Sequence, residues 1–226
     1  MRKLGKKGRF ANQLFQYAYL RQEAKDEYQC PSWIGQTLFG LNDPAPDKNA
    51  VEIGYRFPKH SSYYDKELFK SLFVPIDGIK NEIDKYIKQF KQGRILVGLH
   101  LRRGDYGTFR RKNARWCFVA PSQWYLDWLA DREFSEPVIF IASEEAEKLS
   151  DDFAGKYETF YWTDKNFYWD FYTLTQSDYL LISNSTFGFA ASMLSQAECF
   201  RPRLSLKKLI PYDPWNAPLV FKDERY

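Results

Sequence analysis

Across residues 94–195 the chain repeats one pattern: a short apolar run, then a segment whose apolar residues recur at helical spacing. The runs are 95–101, 137–142, 157–161 and 179–183, and the helical segments are 122–130, 144–153, 166–176 and 187–195. Apolar runs without alternation belong to strands covered on both faces, and strand–helix alternation builds a parallel sheet. Ile95-Leu96-Val97-Gly98-Leu99 is such a strand, and it leads into His100-Leu101-Arg102-Arg103-Gly104-Asp105-Tyr106. Two adjacent arginines thus arrive at a strand end, where open α/β sheets hold their ligands, and paired guanidinium forks there suit a diphosphate.

The rest of the chain frames this half. Phe10, Leu14, Tyr17 and Ala18 recur at i, i+4, i+7 and i+8, which predicts a helix from residue 9 to about 27. Arg9, Asn12, Gln13 and Gln16 form a second, polar stripe on it. Residues 30–65 are rich in Pro, Gly, Asn and Asp and read as loops, with one short strand near 51–55. A helix over 77–92 closes on Gly93. The expected division is an N-terminal half over 1–93, a Rossmann-like half over 94–200, and an irregular, proline-rich closing tail over 201–226.

With 226 residues and 44% hydrophobic content the chain can bury a core unaided. Its +4 charge is concentrated at Lys3, Lys6, Lys7 and Arg9 and at Arg110, Arg111, Lys112 and Arg115. That favours anionic ligands near both regions and is too weak for a dedicated nucleic-acid binder. Cys30, Cys117 and Cys199 are few, odd in number and far apart, so neither a disulfide framework nor a zinc site is indicated. No apolar run approaches the ~20 residues of a membrane span, and the N-terminus lacks a signal-peptide core, so a soluble, cytoplasmic chain is expected. The aromatic patch between Phe160 and Tyr172 reads mainly as core.

Ser183-Asn184-Ser185-Thr186-Phe187 follows an apolar strand and precedes the small-residue helix Gly188-Phe189-Ala190-Ala191-Ser192-Met193-Leu194. A Ser or Thr cap, free N–H groups and the positive end of the helix dipole make such a turn a phosphate-binding geometry.

Three blocks together resemble the GDP-fucose-dependent fucosyltransferase superfamily, and most closely the α1,2-fucosyltransferases. They are Gly8-Arg9-Phe10-Ala11-Asn12-Gln13-Leu14-Phe15-Gln16-Tyr17, the His100 to Tyr106 motif, and Asn184-Ser185-Thr186-Phe187. Gly54-Tyr55, Tyr63-Tyr64, Pro211 and Trp215 echo weaker segments. The resemblance implies an α/β fold of GT-B type, two Rossmann-like halves with the N-terminal one reduced and the donor held mainly by the C-terminal one. It implies an inverting glycosyltransferase that moves fucose from GDP-fucose to a glycan hydroxyl, with no metal and no further cofactor.

By the same resemblance Arg102 grips the β-phosphate, Arg103 supports it, and His100 lies near the guanine. Arg9 and Asn12 approach the diphosphate and the reacting centre. Asp170, eight residues before Asp178, is expected to accept from the guanine N1 and N2 donors, and Asn184, Ser185, Thr186 and Phe187 to form the phosphate turn. Asp105 is the one carboxylate in the loop 102–121, either a general base or an orienter of Arg103. The absence of an Asp-x-Asp sequence agrees with metal-independent transfer. Plainer readings stay open: an ion pair of the arginines with a neighbouring carboxylate, a core histidine at 100, solvated helix positions for Asp170, Arg9 and Asn12. The rival functions are use of another GDP-deoxysugar such as GDP-rhamnose, a non-catalytic nucleotide- or glycan-binding module, and peripheral contact of the Arg110 to Arg115 cluster with an anionic membrane or RNA.

Overall fold

The computed structural model describes residues 1–6, 8–25, 27–54, 56–106 and 116–221. The basic residues Lys7, Arg110, Arg111, Lys112 and Arg115, and Tyr55 of the weaker segments, lie outside the described residues. The chain forms two compact units, Met1–Glu82 with Trp215–Leu219, and Ile83–Pro214 with Val220–Tyr226.

The first unit holds a small parallel sheet of β1 (Arg2–Lys3), β2 (Tyr28–Gln29) and β3 (Val51–Glu52) in the order β2-β1-β3. Helix α1 (Phe10–Ala24) buries Phe15 against Phe57, Tyr64 and Phe69, and Tyr17 against Trp33 and Phe73. The polar stripe expected on α1 is only partly solvated: Gln16 is fully buried and its Nε2 donates to Asn12 O at 3.2 Å. The stretch read as loops contains α2 (Ile34–Phe39), ended by Gly40 at φ 61°. Asp43 fixes the segment after it, accepting from Tyr17 Oη at 2.6 Å, Tyr28 Oη at 2.8 Å and Gln36 Nε2 at 3.0 Å. Helix α3 (Lys66–Leu72) is capped by Asp65, whose side chain accepts from Leu68 N.

The second unit begins in α4 (Asp77–Lys91), which carries Asp77 in its first turn and Lys88 and Lys91 in its last, as its dipole favours. Six strands follow: β4 (Leu96–His100), β5 (Val138–Ala142), β6 (Glu158–Phe160), β7 (Tyr179–Ile182), β8 (Glu198–Arg203) and β9 (Lys208–Pro211). Their order is β6-β5-β4-β7-β8-β9, all parallel except β9. The helices are α5 (Ser122–Ala130), α6 (Ala146–Ser150), α7 (Phe167–Thr175) and α8 (Thr186–Leu194).

Both faces of β4 are covered, which is why its sequence does not alternate. Val97 and Leu99 join Tyr125, Trp128, Leu129, Ile139, Ile141 and Phe153 in the core on one side. On the other, Gly98 lies so close to the segment after α7 that a Cβ there would meet Ser177 Oγ at 2.3 Å. Asp178 ties the sheet's lower edge: its carboxylate accepts from Leu96 N and Lys91 Nζ, each at 2.8 Å.

Two expectations change. The tail is not wholly irregular, because residues 198–203 and 208–211 form β8 and β9. Pro202 lies beyond the β7 pairing and Pro211 at the end of the edge strand, positions where a missing N–H costs little. The helix expected over 144–153 is reduced to Ala146–Ser150, leaving Glu144 and Glu145 in the turn after β5.

Candidate functional site

Strand β4 has β5 on one side and β7 on the other, and the chain winds outward from it in both directions. Such a switch point opens a crevice at the carboxyl ends of its two central strands. Those ends are His100 and Ile182, so the arginine motif and the Ser183 to Phe187 turn emerge side by side. The pairing continues past both strands, with Ser183 N donating to His100 O at 2.9 Å.

Ser183 links the motifs. Its Oγ accepts from Arg102 N at 3.1 Å and lies 3.1 Å from His100 Nδ1. One hydroxyl thus bridges the imidazole and the start of the arginine loop. His100 is 5% exposed, and burial, with Arg102 and Arg103 nearby, lowers its pKa to about 3, so the ring is neutral. Phe187 stands 5.3 Å from the imidazole, and Gly188 supplies the clearance, since a Cβ there would meet Nδ1 at 2.6 Å.

Arg102 lies between two carboxylates. Nη2 donates to Asp105 Oδ1 at 2.5 Å, Nη1 pairs with Glu144, and the guanidinium sits 5.3 Å from the centre of the Tyr106 ring. Tyr106 Oη reaches across to donate to Asn184 O at 3.0 Å. Arg103 is held by neutral acceptors, Arg102 O at 3.2 Å and Ser122 Oγ at 3.5 Å, and burial lowers its pKa. Asp105 therefore bonds Arg102.

Asn184 spends its amide on the protein: Nδ2 donates to Trp116 O at 2.9 Å and Phe221 O at 2.8 Å, and Oδ1 accepts from Phe221 N at 3.0 Å. Ser185 caps α8, its side chain accepting from Phe187 N at 3.3 Å, and Thr186 opens the helix. The first turn thus presents backbone N–H groups and the positive dipole end beside the arginine loop.

Asp170 stands in the first turn of α7. The next residue, Phe171, meets Phe187 edge-on at 5.3 Å, which sets the first turn of α7 beside the start of α8. Burial raises its carboxyl pKa to about 7. Arg9 and Asn12, in the first unit, are the residue preceding α1 and a partly exposed position in its first turn. Sequence reasoning missed Glu144, Ser183 and Tyr106. Ser183 and Tyr106 lie within the motifs already singled out, whereas nothing local to Glu144 marked it. Among the described residues, no three His, Cys, Asp or Glu side chains gather as a metal-ligand set, and no helix is long and apolar enough to cross a membrane.

Arginines and a capped helix thus meet at the switch point of a doubly wound α/β unit. The chain belongs to glycosyl transferase family 11, whose model matches residues 19–201. It is 27% identical to the galactoside alpha-(1,2)-fucosyltransferase 1 of Leontocebus fuscicollis over 183 residues, 75% of this chain and 48% of the relative. To the protein of that name from Homo sapiens it is 27% identical over 189 residues, with the same shares. The chain thus spans about half the length of the curated relatives it matches. Among solved structures it is similar to the NodZ alpha-1,6-fucosyltransferase soaked with GDP-fucose, at 16% identity and a TM-score of 0.48, covering 91% of this chain and 67% of the other.

Proposed function

We propose that this chain is a fucosyltransferase that takes fucose from GDP-fucose and delivers it to a glycan hydroxyl in an α1,2-type linkage, by inversion and without a metal. The observation that carries the proposal is the meeting of the arginine motif and the Ser185 turn at the β4/β7 switch point, joined through Ser183. Family membership and the names of the relatives support fucosyl transfer.

In this reading the diphosphate lies against Arg102 and the first turn of α8, with Arg103 behind it. The acceptor hydroxyl attacks the anomeric carbon opposite the departing GDP, which takes the bonding electron pair, and the hydroxyl proton leaves late; in the oxocarbenium-like transition state negative charge builds on the β-phosphate. The guanidinium and backbone N–H groups stabilise that charge, the role a preorganised electrostatic site performs. In its Nε2–H tautomer His100 offers a donor to the guanine carbonyl, and Asp170, once ionised, accepts from the N1 and N2 donors. Asn184 ties the turn in place, and Asp105 orients Arg102. For Arg9 and Asn12 the support as donor-contacting groups is their sequence motif.

The test is a thermal-shift panel of nucleotide sugars. GDP and GDP-fucose should stabilise the protein where UDP- and CMP-sugars do not, by about 2.7 kcal/mol at ~100 times the dissociation constant. Equal response to all nucleotides, or to none, contradicts the donor assignment. Binding of GDP without turnover on any acceptor identifies a binding module instead.

A further inference from the structure

We propose that Glu144, at the carboxyl end of β5, is a positioning residue that sets the orientation of the Arg102 guanidinium for the donor diphosphate. This inference rests on the reading of the switch point as the donor site.

The turn after β5 brings two consecutive carboxylates against the arginine loop. Glu144 pairs with Arg102 Nη1, its Oε2 lies 3.5 Å from Arg103 N, and Glu145 Oε1 accepts from Gly104 N at 3.3 Å. Three successive residues of the loop are thereby engaged by one turn. Ser143 shapes that turn, its Oγ accepting from Glu145 N at 3.2 Å. Gly104, at φ 46°, supplies the left-handed bend, and its open side lies against the Glu144 side chain, 3.6–3.9 Å from where a Cβ would stand.

A guanidinium has five donors in a planar fork, so fixing two edges fixes the direction of the third. Asp105 engages Nη2 and Glu144 engages Nη1. Asp105 is three residues from Arg102 and belongs to the same loop, so alone it moves with the loop it would have to orient. Glu144 lies two residues past a separate strand, β5, whose register with β4 is set by paired backbone from Leu96↔Val138 to His100↔Ala142. It references the guanidinium to the sheet, and therefore to the Ser185 turn on the far side of β4. The carboxylate also supports a cation that is only 15% exposed.

The test is GDP binding by calorimetry to the wild-type protein, E144Q, E144D, R102A and the double variant R102A/E144Q, with thermal unfolding of each. E144Q should weaken GDP about tenfold while unfolding near the wild-type temperature, and E144D should recover part of that loss. In the R102A background E144Q should have no further effect, which a general structural role would not produce. Wild-type binding with E144Q unchanged or tighter overturns the inference alone; tighter binding would make Glu144 a competitor for the guanidinium. Additive losses in the double variant also overturn it. Absence of GDP binding to the wild type removes the donor-site reading, and the inference with it.

Discussion

Ser183 Oγ stands 3.1 Å from His100 Nδ1, and this contact joins the ends of the two central strands of the larger sheet. The same oxygen accepts from Arg102 N, so one hydroxyl meets both the histidine ring and the start of the arginine loop. Ser183→Ala leaves two buried groups without their partner. Loss of about 1–3 kcal/mol is expected for stranding such groups, measured as a shift in the urea midpoint at unchanged slope. An unaltered midpoint would show that the hydroxyl does not hold these groups.

His100 and Asp170 should give opposite pH slopes. The histidine pKa is lowered in the fold to about 3, so the unfolded chain binds the extra proton first, and its contribution to stability is lost as pH falls from about 6.5 toward 3. The Asp170 pKa is raised to about 7, so the folded chain holds the proton longer, and its contribution is lost as pH rises from about 4 to 7. Subtracting the unfolding free energies of H100Q and D170N from the wild type, pH by pH, isolates each slope. Two differences of the same sign would contradict the burial assigned to one of them.

Asp170 also links pH to ligand. Accepting from guanine donors requires its ionised form, so GDP affinity should rise as pH passes upward through about 7. D170N should bind more weakly and show a flatter profile over that range. A wild-type profile identical in shape to that of D170N would remove Asp170 from the base site.

Gly188→Ala tests the clearance under the imidazole. The added methyl would lie 2.6 Å from His100 Nδ1 and 2.9 Å from Ile182 Cβ, inside contact distance of a buried strand. A destabilisation of about 1–3 kcal/mol is expected from overpacking, read by chemical denaturation. A neutral outcome would mean that α8 lies farther from β4 than described.

Much of the larger unit was legible because its signals are local. The apolar core of β4 and the bounds of α5 follow from runs within a few residues, and Ser185 marks the start of α8 by its own capping chemistry. The small unit was less so. Strands of two residues carry no period, and α2 lies among Pro, Asn and Asp residues that also suit loops. The tail's prolines suggested irregularity, yet Pro211 ends an edge strand and Pro202 lies past the parallel pairing. In the site, the arginine and serine motifs announced themselves, while Glu144 did not. Its partner is 42 positions away in sequence, and only the β4/β5 register brings the two together.

The most direct measurement is calorimetric titration of GDP into the wild-type protein and Arg102→Ala. A single site is expected in the wild type, with a loss of at least about tenfold in affinity, about 1.4 kcal/mol, in the folded variant. GDP binding undiminished by the substitution would contradict the placement of the diphosphate at the β4/β7 switch point.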